Sequence, residues 1–295
     1  MSRFVALVSG LGWHVQDLLR AAERMDLRLD PLPFPSLVGF AGLVGRSVES
    51  QGRSLDDARG VLVRMMPPGT LEQVVYRMDA LHRLAGSGIP VLNPPRAVEA
   101  SVDKYLSTCL IERAGLPVPP TATAESSTDA LRAYDELGPD VVVKPLFGAE
   151  GRGIVRVQDR ELARRAFQTL ERLGALIYLQ KTIRHPGHDV RVFVLGGRVL
   201  GAIRRHAAPG EWRTNVALGG RAEARRDELG MERLALQAAE AVGAVMAGVD
   251  LIEDLDGGRL LVLEVNAVPG WRALAAATGV DVAAAILDEL RERSS

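Results

Sequence analysis

The sequence predicts an α/β protein that turns to α+β in its C-terminal half, and three observations carry that expectation. The chain opens with an apolar strand, a glycine turn and an amphipathic helix. Short apolar runs then alternate with helix-period segments as far as residue 181. Beyond residue 186 the pattern changes to hairpins, marked by Gly196-Gly197 and Asp256-Gly257-Gly258 between strand-like runs. With 295 residues, 47% hydrophobic and 25% charged, the chain is long enough for about two domains and too apolar to stay disordered. Its 36 basic and 37 acidic residues leave a net charge of -1, so no overall basic field holds nucleic acid or an anionic membrane. No apolar run reaches the ~18 residues of a membrane helix, and residues 1–8 read as a strand rather than a signal peptide, so a cytoplasmic location is expected. A lone cysteine, Cys109, excludes an internal disulfide and reads as core.

Residues 4–8 form the first strand and Val15 to Leu29 the first helix. The turn between them, Ser9 to Val15, differs from a dinucleotide fingerprint: Val15 stands in the third glycine's place and no acidic strand end follows. Residues 31–57, rich in Pro, Gly and Ser, read as long loops of the kind that line ligand sites. Gly60 to Arg64 is a strand, followed by Pro67-Pro68-Gly69 and an amphipathic helix through Leu84, and Ile89 to Pro95 closes a first domain. A helix from Val102 to Ala114 leads to a proline hinge, Leu116 to Thr121. Strands Val141–Lys144 and Ile154–Val157 flank a glycine loop, followed by a helix over 159–174 and the strand Leu176–Lys181. Then come the hairpin of Val190–Leu195 with Arg198–Arg205, a helix from Leu229 to Ala247, strands around Val249 and Leu261, and a last helix from Val280 to Glu292.

The chemistry concentrates in a few places. Only Lys104, Lys144 and Lys181 are lysine among 36 basic residues, the other 33 being arginine. A compact ammonium suits a phosphate, although chance retention explains a single lysine equally well. If residue 257 is the midpoint of its hairpin, Asp250 lies opposite Glu264 with Asn266 on the same face. Opposed carboxylates repel unless a cation lies between them, and an all-oxygen set favours magnesium or manganese. The competing reading is a solvated face, or a register one residue off that separates the acids. The loop Phe147 to Gly153, with Gly148, Gly151 and Gly153, can fold over a triphosphate or be a plain hairpin tip; Lys144 on the strand leading into it gives it weight. Asp189 and Arg191 share a face and read most simply as a surface ion pair. Arg213 and Asn215 follow the loop 206–211, where an arginine can stabilise a transferring phosphoryl group. His185 and His188 read as loop residues.

Taken in order, Lys104, Val142-Val-Lys144-Pro145, Gly148 to Gly153, Asp189-Val-Arg191, Arg213-Thr-Asn215, Gly248-Val-Asp250 and Glu264-Val-Asn266-Ala-Val-Pro-Gly270 resemble the ATP-grasp ligases, above all their RimK-like glutamate ligase branch. The resemblance implies an ATP-grasp fold with a pre-ATP-grasp domain over 1–96, a lid-bearing nucleotide subdomain over 97–185 and a metal-bearing core over 186–295. It implies that Lys104, Lys144 and the glycines hold the nucleotide, that Gln180 to Ile183 (with Lys181 between) bind adenine, that Asp189, Arg191, Arg213 and Asn215 complete the phosphate and reaction site, and that Asp250, Glu264 and Asn266 hold metal. The implied cofactors are ATP and two magnesium or manganese ions, and the implied partners are small molecules, an amino acid and a carboxylated acceptor; the oligomeric state stays open between monomer and homo-oligomer. The reaction would pass through an acyl phosphate to an amide. One position departs from the family, Lys181, where a glutamate is usual, which puts nucleotide preference in question. The segment Arg64 to Asp79, with the glycine loop, looks most like members that add glutamate to tetrahydromethanopterin-type coenzymes, and Arg46, Arg64 and Arg77 are candidates to meet a carboxylated acceptor or are simply surface arginines. The rivals are a ligase for a protein tail or amino-acid carrier and a non-catalytic nucleotide-binding protein.

Overall fold

In the computed structural model the described residues are 3–148, 153–208, 210–214, 221–225 and 230–294. The first strand, β1 (Arg3–Val8), is buried along almost its whole length because Phe4 to Val8 is uniformly apolar. Helix α1 (Trp13–Arg24) covers it and stops short of the expected Leu29: Asp26 takes a left-handed φ of 52°, and the chain continues as β2 (Arg28–Pro33), parallel to β1. Pro31 and Pro33 hid this strand from its sequence pattern; they are tolerated because β2 is an edge strand. The expected long loop that follows is instead a single 3-10 turn and a small antiparallel sheet of β3 (Leu37–Gly39), β4 (Val48–Ser50) and β5 (Arg53–Ser54), strands too short to show a period. Strand β6 (Gly60–Val63), helix α2 (Leu71–Gly86), which opens on a Thr70–Gln73 capping box, and β7 (Val91–Leu92) complete a parallel sheet in the order β2-β1-β6-β7.

Helices α3 (Pro95–Val102) and α4 (Lys104–Arg113) meet at Asp103, whose carboxylate caps α4 by accepting from the Tyr105 and Leu106 amides. Cys109, on α4, is half-buried rather than core. Strand β8 (Thr121–Ala124), helix α5 (Ser127–Leu137), β9 (Val141–Lys144), β10 (Val155–Val157), α6 (Arg160–Arg172) and β11 (Ile177–Lys181) then form a layer with an antiparallel sheet ordered β10-β9-β11-β8. Tyr134, Val141, Phe167 and Ile177 build its own core.

The last sheet runs β14-β13-β12-β15-β16, from β12 (His188–Leu195), β13 (Arg198–His206), β14 (Arg221–Arg225), β15 (Met246–Asp254) and β16 (Arg259–Asn266). Helix α7 (Met231–Ala241) packs beneath it and ends before the expected Ala247. Gly243 closes it at φ 70°, with the Ala244 amide reaching back to the Ala239 carbonyl, and Met246 and Ala247 pair with Leu195 and Val194 as sheet. Helices α8 (Arg272–Thr278) and α9 (Val282–Glu292) finish the chain, α9 lying on α1 and β6. One apolar cluster therefore joins Phe4 and Leu18 to Phe193, Trp271 and Ile286. Buried Asn93 fastens the same junction: its amide donates to the Met246 and Ala267 carbonyls at 2.7 and 2.5 Å, and its oxygen accepts from the Val245 and Met246 amides. No helix among the described residues is long and apolar enough to cross a membrane.

Candidate active site

A cleft of about 460 Å³ opens between the β9–β11 layer, the β12–β16 sheet and the C-terminal end of β6. Of the residues singled out from the sequence, Lys104, Lys144, Gly148, Gln180, Lys181, Ile183, Asp189, Arg191, Arg213, Asp250, Glu264 and Asn266 all line it. Gly153 is beside the loop but off the cleft wall, and Gly151 and Asn215 lie outside the described residues.

The acidic floor rests on sheet register. Asp250 faces Glu264 across β15 and β16, and Gly248 faces Asn266. Near the turn the pairing is Asp254 with Arg259 and Leu251 with Val262, one residue out from a hairpin centred on 257; a bulge at Leu263 then restores the Asp250–Glu264 pair. Gly248 has a steric reason to be glycine, since a Cβ there would sit 2.9 Å from Pro269 Cβ.

Asp250 does not wait as a bare carboxylate. Arg191 donates to both its oxygens at 2.7 Å, and an Arg205 nitrogen lies 3.0 Å from Oδ2. Burial works to raise the Asp250 carboxyl, but the two guanidiniums outweigh it and hold it below the usual carboxylate range. The simple reading of Asp189 and Arg191 as a surface ion pair is overturned: Asp189 is buried and holds Arg205 at 2.7 Å and the Thr214 hydroxyl at 2.6 Å, while Arg191 turns to Asp250. Arg205 and Thr214 were not foreseen. A bulge between Phe193 and Val194 sets Arg205 opposite Asp189; the Gly196-Gly197 turn alone would place Arg204 there.

On the facing wall Lys144 donates to Gln180 Oε1 at 2.6 Å, and Gln180 passes the contact on to the Thr121 hydroxyl at 3.0 Å. Burial pushes the Lys144 ammonium down to about 8, opposed by the nearby Glu264 and Asp250 charges. Lys104 reaches from the start of α4 to the Gly148 carbonyl at 2.8 Å and the Leu146 carbonyl at 3.3 Å, tying the glycine loop to the body of the protein. Arg213 is held by Glu211 at 2.6 Å. The cleft thus carries ammonium groups on one wall and a carboxylate–amide set on the other, an arrangement suited to a polyphosphate bridged to the protein by a cation.

Of the three arginines considered for an acceptor, Arg64 alone lines the cleft. Arg46 pairs with Glu49 and stacks on Phe40, and Arg77 donates to the Pro67 carbonyl at 2.7 Å. His185 lines the cleft too, partly buried.

A model of the RimK-like ATP-grasp domain matches residues 101–290. The tetrahydromethanopterin:alpha-L-glutamate ligase of Methanosarcina acetivorans is 34% identical, with 97% of this chain and 98% of that protein aligned. The chain belongs to the RimK-like ATP-grasp family. The similarly named ligase of Methanococcus maripaludis is 35% identical over 82% of each chain. The ATP-grasp ligase PsnB, solved with a variant of its minimal precursor, Mg and ADP, superposes with a TM-score of 0.78 at 24% identity over 100% of this chain and 99% of that one, which shows the shared fold. This family member is an ATP-dependent acid–amino-acid ligase.

Proposed function

We propose that this ligase adds L-glutamate to a carboxylated acceptor of the tetrahydromethanopterin class, using ATP and magnesium. The observation that carries the reading is the opposition, within one cleft, of Lys144 and Lys104 to the Asp250–Glu264–Asn266 set. The names and coverage of the Methanosarcina and Methanococcus relatives support the choice of donor and acceptor.

Gln180 to Ile183 on the hinge would receive the adenine, and the two lysines the phosphates. Asp250, Glu264 and Asn266 fit magnesium by donor chemistry, being all-oxygen. The Asn266 side-chain nitrogen is buried without a partner, so its amide is free to turn its oxygen to a cation. The metal, as one or two ions, would neutralise charge on the transferring phosphoryl group. Arg205, fixed between Asp189 and Asp250, would hold Asp250 in place, and Arg191 and Arg213, which also line the cleft, would meet developing charge. In the reaction an acceptor carboxylate oxygen attacks the γ-phosphorus and ADP departs with the bridging oxygen. The amine nitrogen of glutamate then attacks the acyl carbon, phosphate leaves, and the nitrogen gives up a proton. Positioning and charge neutralisation suffice for both steps, with no protein nucleophile.

The test is phosphate release from ATP with magnesium and glutamate over a panel of carboxylated acceptors, tetrahydromethanopterin precursors and C-terminal peptides included, with mass spectrometry of the products. A glutamate-sized mass gain on the pterin precursor is expected. A gain on a peptide alone, or turnover only with another amino acid, would reject the assignment.

A further inference from the structure

At the end of the cleft away from the adenine hinge lies a cation that the reading above does not use. Arg64 directly follows β6, at the carboxyl edge of the parallel sheet where α/β proteins place ligands. It is only 3% exposed, yet it lines the cleft. It has no carboxylate partner among the described residues. One guanidinium nitrogen makes a long 3.4 Å contact to the Val268 carbonyl, the Nε is buried without a partner among the described residues, and Cζ lies 4.9 Å from the Trp271 ring centre. A buried charge in this state is costly unless something completes it.

Among the described residues, the carboxylate bonded to the same Trp271 side chain is already engaged elsewhere. Asp17 is engaged by the Trp271 indole at 2.8 Å and by Arg20 at 2.8 Å. His14 uses Nε2 to accept from the Trp271 amide, so its ring is neutral with the proton on Nδ1. Arg272, exposed beside Trp13, adds a second guanidinium to the same end of the cleft. The turn Val268-Pro269-Gly270, whose Val268 carbonyl accepts Arg64's one side-chain hydrogen bond among the described residues, lies two residues past Asn266, so an anion here sits just past the phosphoryl-transfer residues.

We propose that Arg64, with Arg272 and neutral His14, forms an anion subsite that binds a carboxylate of the amino-acid donor. The inference rests on the ligase reading given above and names the group that recognises its donor. Once the acceptor's reacting carboxylate becomes an acyl phosphate, its charge lies on the phosphoryl oxygens, which belong beside the lysines and the cation, whereas the donor keeps its carboxylates throughout, and an enclosed guanidinium fits a small ligand. The planar fork suits a carboxylate held bidentately.

The test compares wild type, Arg64→Met, Arg64→Lys and Arg272→Gln for KM toward ATP, acceptor and donor, the donor being glutamate, glutamine or isoglutamine. Arg64→Met is expected to raise KM for glutamate by about tenfold or more, the scale of a lost charge-assisted pair, with KM for ATP unchanged. One of the two amides should be a poor donor for wild type and no worse for the variant, which identifies the carboxylate bound. Arg64→Lys should recover part of the loss. Arg272→Gln, on the surface, should keep its melting temperature and raise the same KM by a smaller factor; with the wild-type amide comparison it decides the matter if Arg64→Met fails to fold. A rise confined to the acceptor's KM, or a fall in stability with every KM unchanged, would overturn the proposal. Wild-type enzyme that makes no glutamate adduct with any acceptor would instead overturn the functional reading, and this inference with it.

Discussion

Replacing Asp250 by Asn separates a structural from a catalytic role within one acidic pair. The side chain is buried and accepts from Arg191 twice at 2.7 Å, with Arg205 3.0 Å away. Removing one partner of a buried ion pair costs about 3–5 kcal/mol. The lower end applies here, because Arg205 keeps Asp189 and the Arg191 side chain, 23% exposed, can turn to water. A loss of about 3 kcal/mol corresponds to a fall in melting temperature of roughly 5 °C for a chain of this size. Glu264, opposite, has no hydrogen-bonded partner among the described residues, and Glu264→Gln should stay within about 0.5 kcal/mol of wild type. Both variants are expected to lose ATP turnover. Calorimetry beside a phosphate-release assay distinguishes them, and equal melting temperatures for the two variants would refute the placement of Asp250 as the anchor of both arginines. The acid limb gives a second reading of the same pair. Because the native Asp250 carboxyl is held low, its stabilisation is complete above the ordinary carboxylate range and is lost as pH falls through the native value, so Asp250→Asn should flatten that limb.

Three further outcomes follow from the geometry. Lys144, at about 8 in the free protein, should be drawn upward by bound phosphates, so ATP affinity should be level below pH 8 and weaken by up to about tenfold per unit above it; titration calorimetry in buffers of different ionisation enthalpy would detect the proton taken up. Asn93→Ala removes four hydrogen bonds from the segment after β7 to Val245, Met246 and Ala267 at the ends of β15 and β16 and should cost about 2–4 kcal/mol by chemical denaturation, without changing KM for ATP. Gly248→Ala would push a methyl to 2.9 Å from Pro269 Cβ, costing about 1–3 kcal/mol and lowering kcat as the 268–270 turn shifts; unchanged kcat would argue against the close fit of that turn.

The order of chemistry along the chain was legible because it depends on residue type: a protein sparing of lysine that keeps Lys104 and Lys144, two carboxylates and an amide around one hairpin, and a glycine loop between strands. The apolar periods also marked β1, β6, β9, β12, β13 and the last helix. Elements with no period of their own were not legible. Strand β2 is masked by its prolines, β3 to β5 are two or three residues long, and the end of α7 is set by Gly243 and by the pairing of Met246 with Leu195.

Register shows the division most clearly. The opposition of Asp250 and Glu264 was expected from a hairpin centred on Gly257, but near the turn the strands pair one residue out, and the bulge at Leu263 restores it. The matching bulge at Phe193–Val194 brings Arg205 to Asp189, which turn arithmetic places opposite Arg204. A one-residue slip moves every side chain to the other face of a sheet, so packing between strands, not the turn sequence, chose which charges meet. The same holds for Arg64. The sequence marks it only alongside Arg46 and Arg77, and burial beneath the 268–270 turn is what leaves it, among the described residues, without a carboxylate partner at the end of the cleft. Residue type and spacing determined what chemistry the chain can do; the tertiary structure decided which charged groups are neutralised within the protein and which are left for a ligand, because that depends on neighbours far apart in sequence.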